Sequence, residues 1–520
     1  MPPTFTYPGV YIEEIPSAVH TITGVATSIA AFIGWAAQGP TTEATLVQSF
    51  ADFEFQFGGL DSRSLLGYSV NQFFGNGGQQ AYIVRLAAGD AKSGHIDIPA
   101  SGGGNAFTAT AFDPGQWSTQ YGIRIVQNPS DATRFSLLVV NTPTSSQETT
   151  VENFSNLSML TNDPQSRSVI SVVNDPRTGS QLIQLSNLNT TPGTQPVPNP
   201  LTTPGSPPSP YMLVGGDDGT VLNPGDAAFE TALNAGGGGS GGVHLLDTVS
   251  IFNLLCVPGE NTPTTIQQLQ TYCLGQRAFY IVDCQLSDTF TSLKTGPGNI
   301  TGNDAINSAF YFPWIKAPDP LQQNRVRPFP PCGFVAGLYA KTDSTRGVWK
   351  APAGIDATLS GEAGLTTVLT DLQNGTLNTQ AINCLRNFPV YNDIVWGART
   401  LRGNDQVGSE WKYVPIRRLA LFLESSLYNG TQWVVFEPND EKLWGQIRLN
   451  VGAFMQGLFL QGAFQGTTPQ QAYFVKCDAE NNPQASIDLG IVNILVGFAP
   501  LYPAEFVVIQ IQQIAGQLQA

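Results

Sequence analysis

Two segments, YPGVYIEE (residues 7–14) and EFVVIQIQ (residues 505–512), decide how the fold of this chain is interpreted. Pro8-Gly9 is a turn signal, and the residues after it favour β-strands. Near the end, apolar residues at 507, 509 and 511 repeat with the two-residue period of a half-buried strand. Strand addition links chains through main-chain hydrogen bonds alone, so both ends are predicted to pair with other copies of the chain. The residues assigned to this linkage are Val10, Tyr11, Ile12, Glu13, Glu14, Phe506, Val507, Val508, Ile509, Gln510 and Ile511.

The composition indicates several domains with unusually neutral surfaces. At 520 residues the chain exceeds the length at which a single core stops growing. Charged residues make up 12% of the chain, about half the roughly 25% typical of soluble domains. Neutral surfaces can stack against copies of themselves without burying unpaired charges. The same composition is also found in secreted β-rich proteins, so it favours self-assembly without deciding it.

The charge balance argues against direct binding of nucleic acid. The chain carries 24 Lys and Arg against 39 Asp and Glu, a formal net charge of -15. Phosphate binding needs clustered positive charge, and Arg417-Arg418 and the pair Arg325 and Arg327 are the densest basic positions. We interpret both pairs as solvated or salt-bridged strand and loop positions.

The N-terminal sequence also lacks the features of a targeting segment. It has neither the basic residues nor the apolar run of a signal peptide. Residues 24–39 are too short and too interrupted by Gly and Thr to span a bilayer. A soluble protein made in the cytoplasm, without stable membrane insertion, is therefore expected.

The six cysteines do not predict a metal site or a disulfide framework. They are widely spaced and form no C-x-x-C pair, which fits reduced, buried thiols. They are Cys256, Cys273, Cys284, Cys332, Cys384 and Cys477.

The search for catalytic motifs gives one match by letter, in the glycine-rich stretch of residues 236–242. This stretch fits both G-x-G-x-x-G and G-x-S-x-G, but those motifs follow a strand and open a helix. Here a helix-like segment precedes, and residues 243–249 read as a strand, so a linker is predicted. Pairs of His244 with Cys256 or with Ser240 remain open from the sequence alone. We assign no catalytic residue, metal or cofactor.

The order of predicted elements indicates an α/β (α+β) core domain built from two sequence segments. Strands at 29–33, 45–47 and 81–85 and a helix at 65–74 precede a β-rich region, and strands at 250–257 and 279–282 follow it. A helix is predicted from Pro263 to Leu274, with Thr262 as its N-cap. The predicted domains are an N-terminal linker arm (1–23), the first core segment (24–92), an inserted β-rich outer domain (93–242), the second core segment (243–499) and a C-terminal linker strand (500–520).

Residues 439–464 form the strongest helical pattern of the chain. Asn439 is the predicted N-cap, and apolar residues recur at three- and four-residue spacing. They are Trp444, Ile447, Val451, Phe454, Met455 and Leu458. A strand at 472–477 and a closing hairpin of 490–498 with 505–512 are predicted after it.

These residues resemble the tail sheath proteins of contractile phage tails and related phage-tail-like injection particles. The phrases that carry the resemblance are YPGVYIEE (7–14), TGVATS (23–28), FIG (32–34), FFGNGG (73–78), AYIVR (81–85), PPCG (330–333), RGVWKAPA (346–353), VWGART (395–400), QWVVFEPND (432–440) and PAEF (503–506). Residues 95–242 match no such phrase, and Cys332 stands where the family pattern leads us to expect Ser.

The resemblance implies a non-enzymatic, structural subunit of a contractile helical sheath that surrounds an inner tube and contracts to drive it through a target envelope. Neighbouring copies would be linked by strand exchange of both arms, with hinges at 21–24 and 499–503. The implied partners are other copies of the chain, the inner tube protein, baseplate and terminal cap proteins, and sister sheath proteins. Lys442, Gln446 and Arg448 are the residues we assign to inner-tube contact.

Two alternatives to a contractile sheath stay open at this point. A static self-assembling shell or surface-layer protein shares the neutral surfaces and strand-like ends, but it has one lattice where a contractile sheath has two. A hydrolase with an inserted lid depends on the letter match at Ser240 alone.

Overall fold

An eight-stranded, mostly parallel sheet dominates the structure, a computed structural model that describes residues 20–142, 148–199 and 209–510. The strands are β1 (Ala30–Trp35), β2 (Thr45–Val47), β3 (Ala81–Leu86), β4 (His95–Pro99), β5 (Asn105–Ala111), β6 (Tyr121–Gln127), β7 (Phe135–Asn141), β8 (Thr149–Leu157), β9 (Ile183–Ser186), β10 (Tyr211–Met212), β11 (Leu254–Cys256), β12 (Phe279–Asp283), β13 (Ser308–Phe312), β14 (Ile315–Asp319), β15 (Arg325–Phe329), β16 (Ile382–Phe388), β17 (Asn392–Val395), β18 (Tyr473–Lys476) and β19 (Leu495–Phe498).

The helices lie between these strands and in the C-terminal part of the chain. They are α1 (Phe50–Phe57), α2 (Leu66–Gly75), α3 (Val169–Val173), α4 (Ala227–Leu233), α5 (Pro263–Gln276), α6 (Phe290–Leu293), α7 (Cys332–Arg346), α8 (Asp371–Thr379), α9 (Val414–Gly430), α10 (Glu441–Leu460), α11 (Pro469–Ala472) and α12 (Gln484–Asp488). The predicted mixed α/β class is confirmed.

The large sheet has the strand order β17-β16-β13-β12-β11-β1-β3-β2. Six neighbouring strands run parallel, and β2 and β17 close the edges in antiparallel pairs. Every residue of β1, β12 and β13 is buried, as expected for parallel strands covered on both faces. β1 pairs with β11, which lies beyond residue 242, so the sheet unites strands from both sides of the β-rich region.

The β-rich region forms two small sheets, β4-β5-β9 and β10-β6-β7-β8, around a core of their own. Arg85, at the end of β3, ties this region to the large sheet. Its guanidinium donates to the carbonyls of Ala36, Gly39 and Pro114 at 2.8, 2.6 and 2.7 Å. Burial lowers the pKa of Arg85 to about 10, and the carbonyl oxygens satisfy its donors.

A second compact unit comprises the described residues among 1–26, 346–351 and 415–520. Its core contains Ile22, Val348, Leu419 and the inner face of α10. The domain boundary predicted at residue 499 therefore differs from the boundary that packing defines. Packing places α10 and the strands β18 and β19 in this C-terminal unit. Helical periodicity identifies a buried face, but it does not identify which core that face joins.

Several predicted elements occur within a few residues of the expected positions, among them α2, α5 with Thr262 as N-cap, β2 and β12. All six cysteines are free and buried. The strand predicted at 243–249 is wrong, because residues Gly242–Thr248 form a 3-10 helix. Contacts at three-residue spacing stabilise that turn: His244 Nδ1 lies 3.1 Å from Asp247, and the Thr248 hydroxyl donates to the Leu245 carbonyl at 2.8 Å.

Candidate assembly surfaces

The C-terminal unit is organised around α10, whose buried face agrees with the sequence pattern. Trp444, Ile447, Val451, Met455 and Leu458 are all buried, and Phe454 packs against the same core while only partly covered.

The N-cap of this helix is Asp440, and the prediction of Asn439 is wrong by one residue. The Asp440 carboxylate accepts from the Leu443 amide at 2.9 Å. Asn439 is already engaged, because its side chain accepts from Trp444 Nε1 at 2.8 Å and donates to the Ile491 carbonyl at 3.1 Å. Because the Asn439 side chain is bonded to Trp444, five residues later, the adjacent Asp440 caps the helix.

The outer face of α10 exposes a stripe that combines one charge with apolar side chains. Lys442, Leu449, Ala453 and Leu460 are exposed, and their spacing of 7, 11 and 18 residues places them on one side of the helix. Leu449 and Leu460 are 61% and 76% exposed. We call these four residues the outer stripe. The sequence analysis did not assign Leu449, Ala453 and Leu460 to a contact surface. Their helical spacing from Lys442 could have identified them as residues on the same side of the helix.

The three residues assigned to inner-tube contact differ in their surroundings. Lys442 is exposed and Gln446 is half-buried on the same side of the helix. Arg448 is engaged within its own unit, because its guanidinium pairs with Glu441 at 2.7 Å and also donates to the Cys477 carbonyl. Lys442 is therefore the basic residue of this set whose charge faces outward.

A two-stranded hairpin, β18 with β19, lies in the same unit. Its strands pair antiparallel from Tyr473 with Phe498 to Lys476 with Leu495. Among the described residues, neither strand pairs with a third, so each has one edge that no other strand occupies. Glu480, 2.6 Å from Lys476, raises the pKa of that lysine.

The C-terminal tail, residues 501–510, begins just after the end of β19. The Ala499 amide donates to the Ala472 carbonyl at 2.8 Å, and the Ala499 carbonyl accepts from Gln465 at 2.9 Å. After this attachment, residues 501–510 form no strand or helix. Four consecutive apolar residues in this tail, Phe506 to Ile509, are 76–82% exposed.

The predicted closing hairpin of 490–498 with 505–512 is wrong, because β19 pairs with β18. Pro500 and Pro503 interrupt the connection, and proline supplies no donor to a ladder. The Phe464 ring centroid lies 6.2 Å from that of Tyr473 and 6.0 Å from that of Phe498. Phe464 therefore packs against one side of both β18 and β19. Of the assigned linkage residues, Phe506 to Gln510 are described, whereas Val10 to Glu14 and Ile511 lie outside the described residues.

The first described residues after the N-terminal arm are held against α9. His20 stacks on Trp433 with ring centroids 4.2 Å apart, Ile22 is buried, and the Val25 amide donates to the Ser426 hydroxyl at 3.1 Å. At Gly24 an added Cβ would lie 2.9 Å from the Phe422 ring. The segment predicted as a hinge at 21–24 therefore joins the same unit from which the tail departs.

The loop between α9 and α10 presents another apolar side chain to solvent. Phe436 is fully exposed and has a φ of 71°, which is rare for an aromatic residue. Holding a non-glycine residue there costs on the order of 1–3 kcal/mol. No sequence signal showed this exposure, since VVF at 434–436 reads as part of a buried strand.

The two basic pairs lie in regular secondary structure, one in a helix and the other in a strand. Arg417 and Arg418 lie buried in α9, which corrects their interpretation as strand or loop positions, and Arg417 pairs with Glu424 at 3.1 Å. Arg327 in β15 pairs with Asp319 at 2.9 Å.

The pairs left open for His244 are not formed. His244 contacts Asp247, the Ser240 hydroxyl donates to the Gly237 carbonyl at 3.2 Å, and the Cys256 thiol faces the Cys332 carbonyl at 3.8 Å. Within the described part of the chain, no group of three His, Cys, Asp or Glu side chains is arranged to hold a metal ion. None of the helices described there is long and apolar enough to cross a membrane.

Comparison with known proteins finds similarity to tail sheath proteins. Residues 406–514 match the family model of the phage tail sheath C-terminal domain. The tail sheath protein of Vibrio phage KVP40 is 27% identical over 167 residues, which are 32% of this chain and 23% of that protein. This chain thus aligns with about a quarter of the length of that relative.

Solved structures extend the similarity to almost the whole chain. The sheath of an extracellular contractile injection system, the PVC sheath complex in its contracted state, covers 98% of both chains with a TM-score of 0.58 and 22% identity. The helical sheath of the anti-feeding prophage (AFP) in its contracted state covers 98% of this chain and 100% of that chain, with a TM-score of 0.58 and 21% identity. The resemblance to contractile tail sheath proteins is confirmed, and the fold is shared across nearly the full length.

Proposed function

We propose that this chain, which resembles tail sheath proteins, is the repeating subunit of a contractile helical sheath around an inner tube. The observation that carries the proposal is the exposed apolar tail, Phe506 to Ile509, which starts beside a hairpin with unused edges. A chain that folded only for itself would have little reason to expose four consecutive β-favouring apolar residues. A chain that donates a strand to a neighbour requires such a segment.

The hairpin β18–β19 of one copy is the acceptor we propose for the arms of others. This two-stranded sheet already packs against the core of the C-terminal unit, and added strands would extend it at its unoccupied edges. Burying each large apolar side chain contributes about 1.5–3 kcal/mol, whereas ordering each residue of backbone costs about 1–2 kcal/mol. The sum of these two free-energy terms favours linkage modestly. A modest free energy is suitable for subunits that must stay connected while their rings move.

Proline substitution in the tail tests this linkage. The double variant Val507→Pro and Ile509→Pro removes two main-chain donors, and the matched control Val507→Thr and Ile509→Thr keeps them. Produced together with its tube and baseplate partners, the proline variant should give few or short sheaths by electron microscopy, and the threonine variant should give near-normal ones. Both monomers should unfold at the wild-type temperature, because these side chains lie in solvent. Full-length sheaths from the proline variant would overturn strand exchange by the tail.

The outer stripe of α10 is our candidate for contact with the inner tube. Lys442 would meet acidic or amide groups there, Gln446 would add a hydrogen bond, and Leu449 and Leu460 would be covered. Arg448 contributes through its pair with Glu441, which holds the helix start in place. Lys442→Glu should shorten sheaths that grow on tubes, whereas Lys294→Glu, at an exposed position in the other unit, should leave their length unchanged. Equal lengths for both variants would contradict tube contact at this stripe.

The sheath would act mechanically and without catalysis. The extended state would be a kinetic trap, and contraction would release free energy as subunits bury more mutual surface. Baseplate and terminal cap proteins would start and end the helix, and sister sheath proteins would share it. Assembly would take place in the bacterial cytoplasm as part of a virion tail or phage-tail-like particle.

A further inference from the structure

The first described residues run along α9 toward the loop that joins α9 to α10, residues 431–440. Three contacts follow one another on this path: Val25 with Ser426, Ile22 with Gly430, and His20 with Trp433. At Gly430 an added Cβ would lie 2.6 Å from the Ile22 side chain, so the approach is close. Each step toward the N-terminus therefore meets a residue further along α9 and its loop. The same progression brings the residues before His20 to positions 435–437.

Alternate residues of this segment face the C-terminal unit. Ile22 is buried and the His20 ring is stacked on Trp433, whereas Thr21 between them is exposed. A two-residue period is that of an extended chain. Continued toward the N-terminus, this period places Ala18 and Pro16 on the inward-facing side.

Phe436 presents an uncovered ring at the place to which this path leads. The residue is fully exposed at a φ of 71°, and the chain is fixed on both sides of it. The Glu437 amide donates to the Val434 carbonyl at 3.1 Å, and the Asn439 side chain accepts from Trp444 Nε1 at 2.8 Å. Because these contacts hold the loop in place, covering the ring would cost little further loss of conformational freedom.

The chain before His20 is long enough to reach this ring, although it lies outside the described residues. Phe436 is three residues from Trp433, which the His20 ring contacts. Three residues of chain span at most about 11 Å, and the five residues before His20 span up to about 17 Å when extended. The distance therefore allows residues 15–19 to cover Phe436.

We propose that residues 15–19 dock on Phe436 of the same chain, with Pro16 and Ala18 against its ring. The burial of apolar surface on both sides supplies the attraction. The consequence for assembly rests on the sheath function proposed above. Residues 15–19 would stay anchored to their own copy, and only residues 1–14 would cross to another copy as the linking arm.

Two features of the sequence place the end of the docked segment near residue 15. Pro16 has no N–H to donate to a strand ladder, so strand pairing with another copy ends there. Glu13 and Glu14 carry the same charge as Glu437, which is exposed beside Phe436, and like charges repel. The two glutamates are therefore directed away from the loop and toward the neighbouring copy.

Methyl NMR of the full chain, labelled with ¹³C at its alanine methyl groups, tests the docking. The resonance lost in Ala18→Ser identifies Ala18. A methyl group over an aromatic ring is shielded by that ring, so the Ala18 resonance should lie upfield in the wild type. Phe436→Leu keeps an apolar side chain without a ring and should move the resonance downfield. Phe55→Leu removes a ring that is 81% exposed in the other unit and should leave the resonance unchanged.

A second variant keeps the test decisive if Phe436→Leu does not fold. Phe436→Gly removes the side chain at a φ that glycine adopts readily, and it should also abolish the shielding of Ala18. An Ala18 resonance that is the same in the wild type and in the folded Phe436 variants would overturn the proposal. An equal response to Phe55→Leu, or a shielding that disappears on dilution, would also overturn it, because dilution separates copies but not segments of one chain.

The measurement also separates this proposal from the proposed sheath function. It uses the chain without its tube and baseplate partners, so docking is observed whether or not a sheath forms. A shielded Ala18 in a chain that forms no sheath would contradict the sheath function alone. An unshielded Ala18 in a chain that forms normal sheaths would contradict the docking alone.

Discussion

The strand β1 and the C-terminal tail are both runs of apolar, β-favouring residues, yet their surroundings are opposite. All six residues of β1 are buried between two parallel neighbours. In the tail, Phe506 to Ile509 remain at least three-quarters exposed. A strand pattern therefore specifies that the segment needs a partner strand, but not whether that partner lies in the same chain. The α/β unit satisfies that need internally, and we propose that the tail satisfies it in another copy.

Replacing a phenylalanine by alanine in β1 and in the tail should give the largest difference in the free energy of unfolding. Phe32 in β1 is fully buried and packs edge-on against Phe73 with ring centroids 5.4 Å apart. Phe32→Ala should lower the free energy of unfolding by about 3–5 kcal/mol, and Phe506→Ala should change it by less than about 0.5 kcal/mol. Urea denaturation of both monomers measures this. A similar loss in both variants would show that the tail packs on its own chain.

The α/β unit should also respond to pH through Asp283. This carboxylate is buried at the end of β12 and accepts from the amides of Gly259 and Cys332 at 3.0 and 2.8 Å. Burial raises its pKa from 3.8 to about 6. The folded state therefore holds the proton more tightly than the unfolded state, and the stability gained below pH 3.8 is lost as pH rises through 6.

The Asp283→Asn variant isolates that contribution. The unfolding free energy of the wild type, minus that of the variant, should fall by about 2–3 kcal/mol between pH 4 and pH 7. Urea titrations across this range provide the measurement. A difference that is constant or increases with pH would contradict a raised pKa for Asp283.

The smallest change in stability is expected for the N-cap of α10, in the C-terminal unit. Asp440→Ala removes the acceptor for the Leu443 amide and should cost about 1 kcal/mol, whereas Asp440→Asn keeps an acceptor and should cost a few tenths. Thermal unfolding of the monomers distinguishes the two. Equal losses in both variants would indicate that the charge near the helix start, not the cap, provides the stabilisation.

Much of the fold could be predicted from local patterns. Apolar spacing located α2 and α10, and Thr262 before Pro263 located the start of α5. The alternation of strands and helices indicated the mixed α/β class. These predictions succeeded because helix periodicity and capping depend on residues close together in the sequence.

Other features depended on distant contacts that no local pattern encodes. The pairing of β19 with β18 is set by the ring of Phe464 and by prolines in the connection, and alternation alone could not choose between partners. The outward charge of Lys442 and the engaged charge of Arg448 differ because of Glu441 and the Cys477 carbonyl.

Cryo-electron microscopy of particles purified from the native host, before and after mild acid or denaturant, tests the contractile sheath most directly. We expect tubes with this chain as the outer layer, in a long narrow state and a short wide state, with tail residues 506–510 paired to β18 or β19 of another copy in both. A single unchanging lattice, or monomers alone, would contradict this expectation.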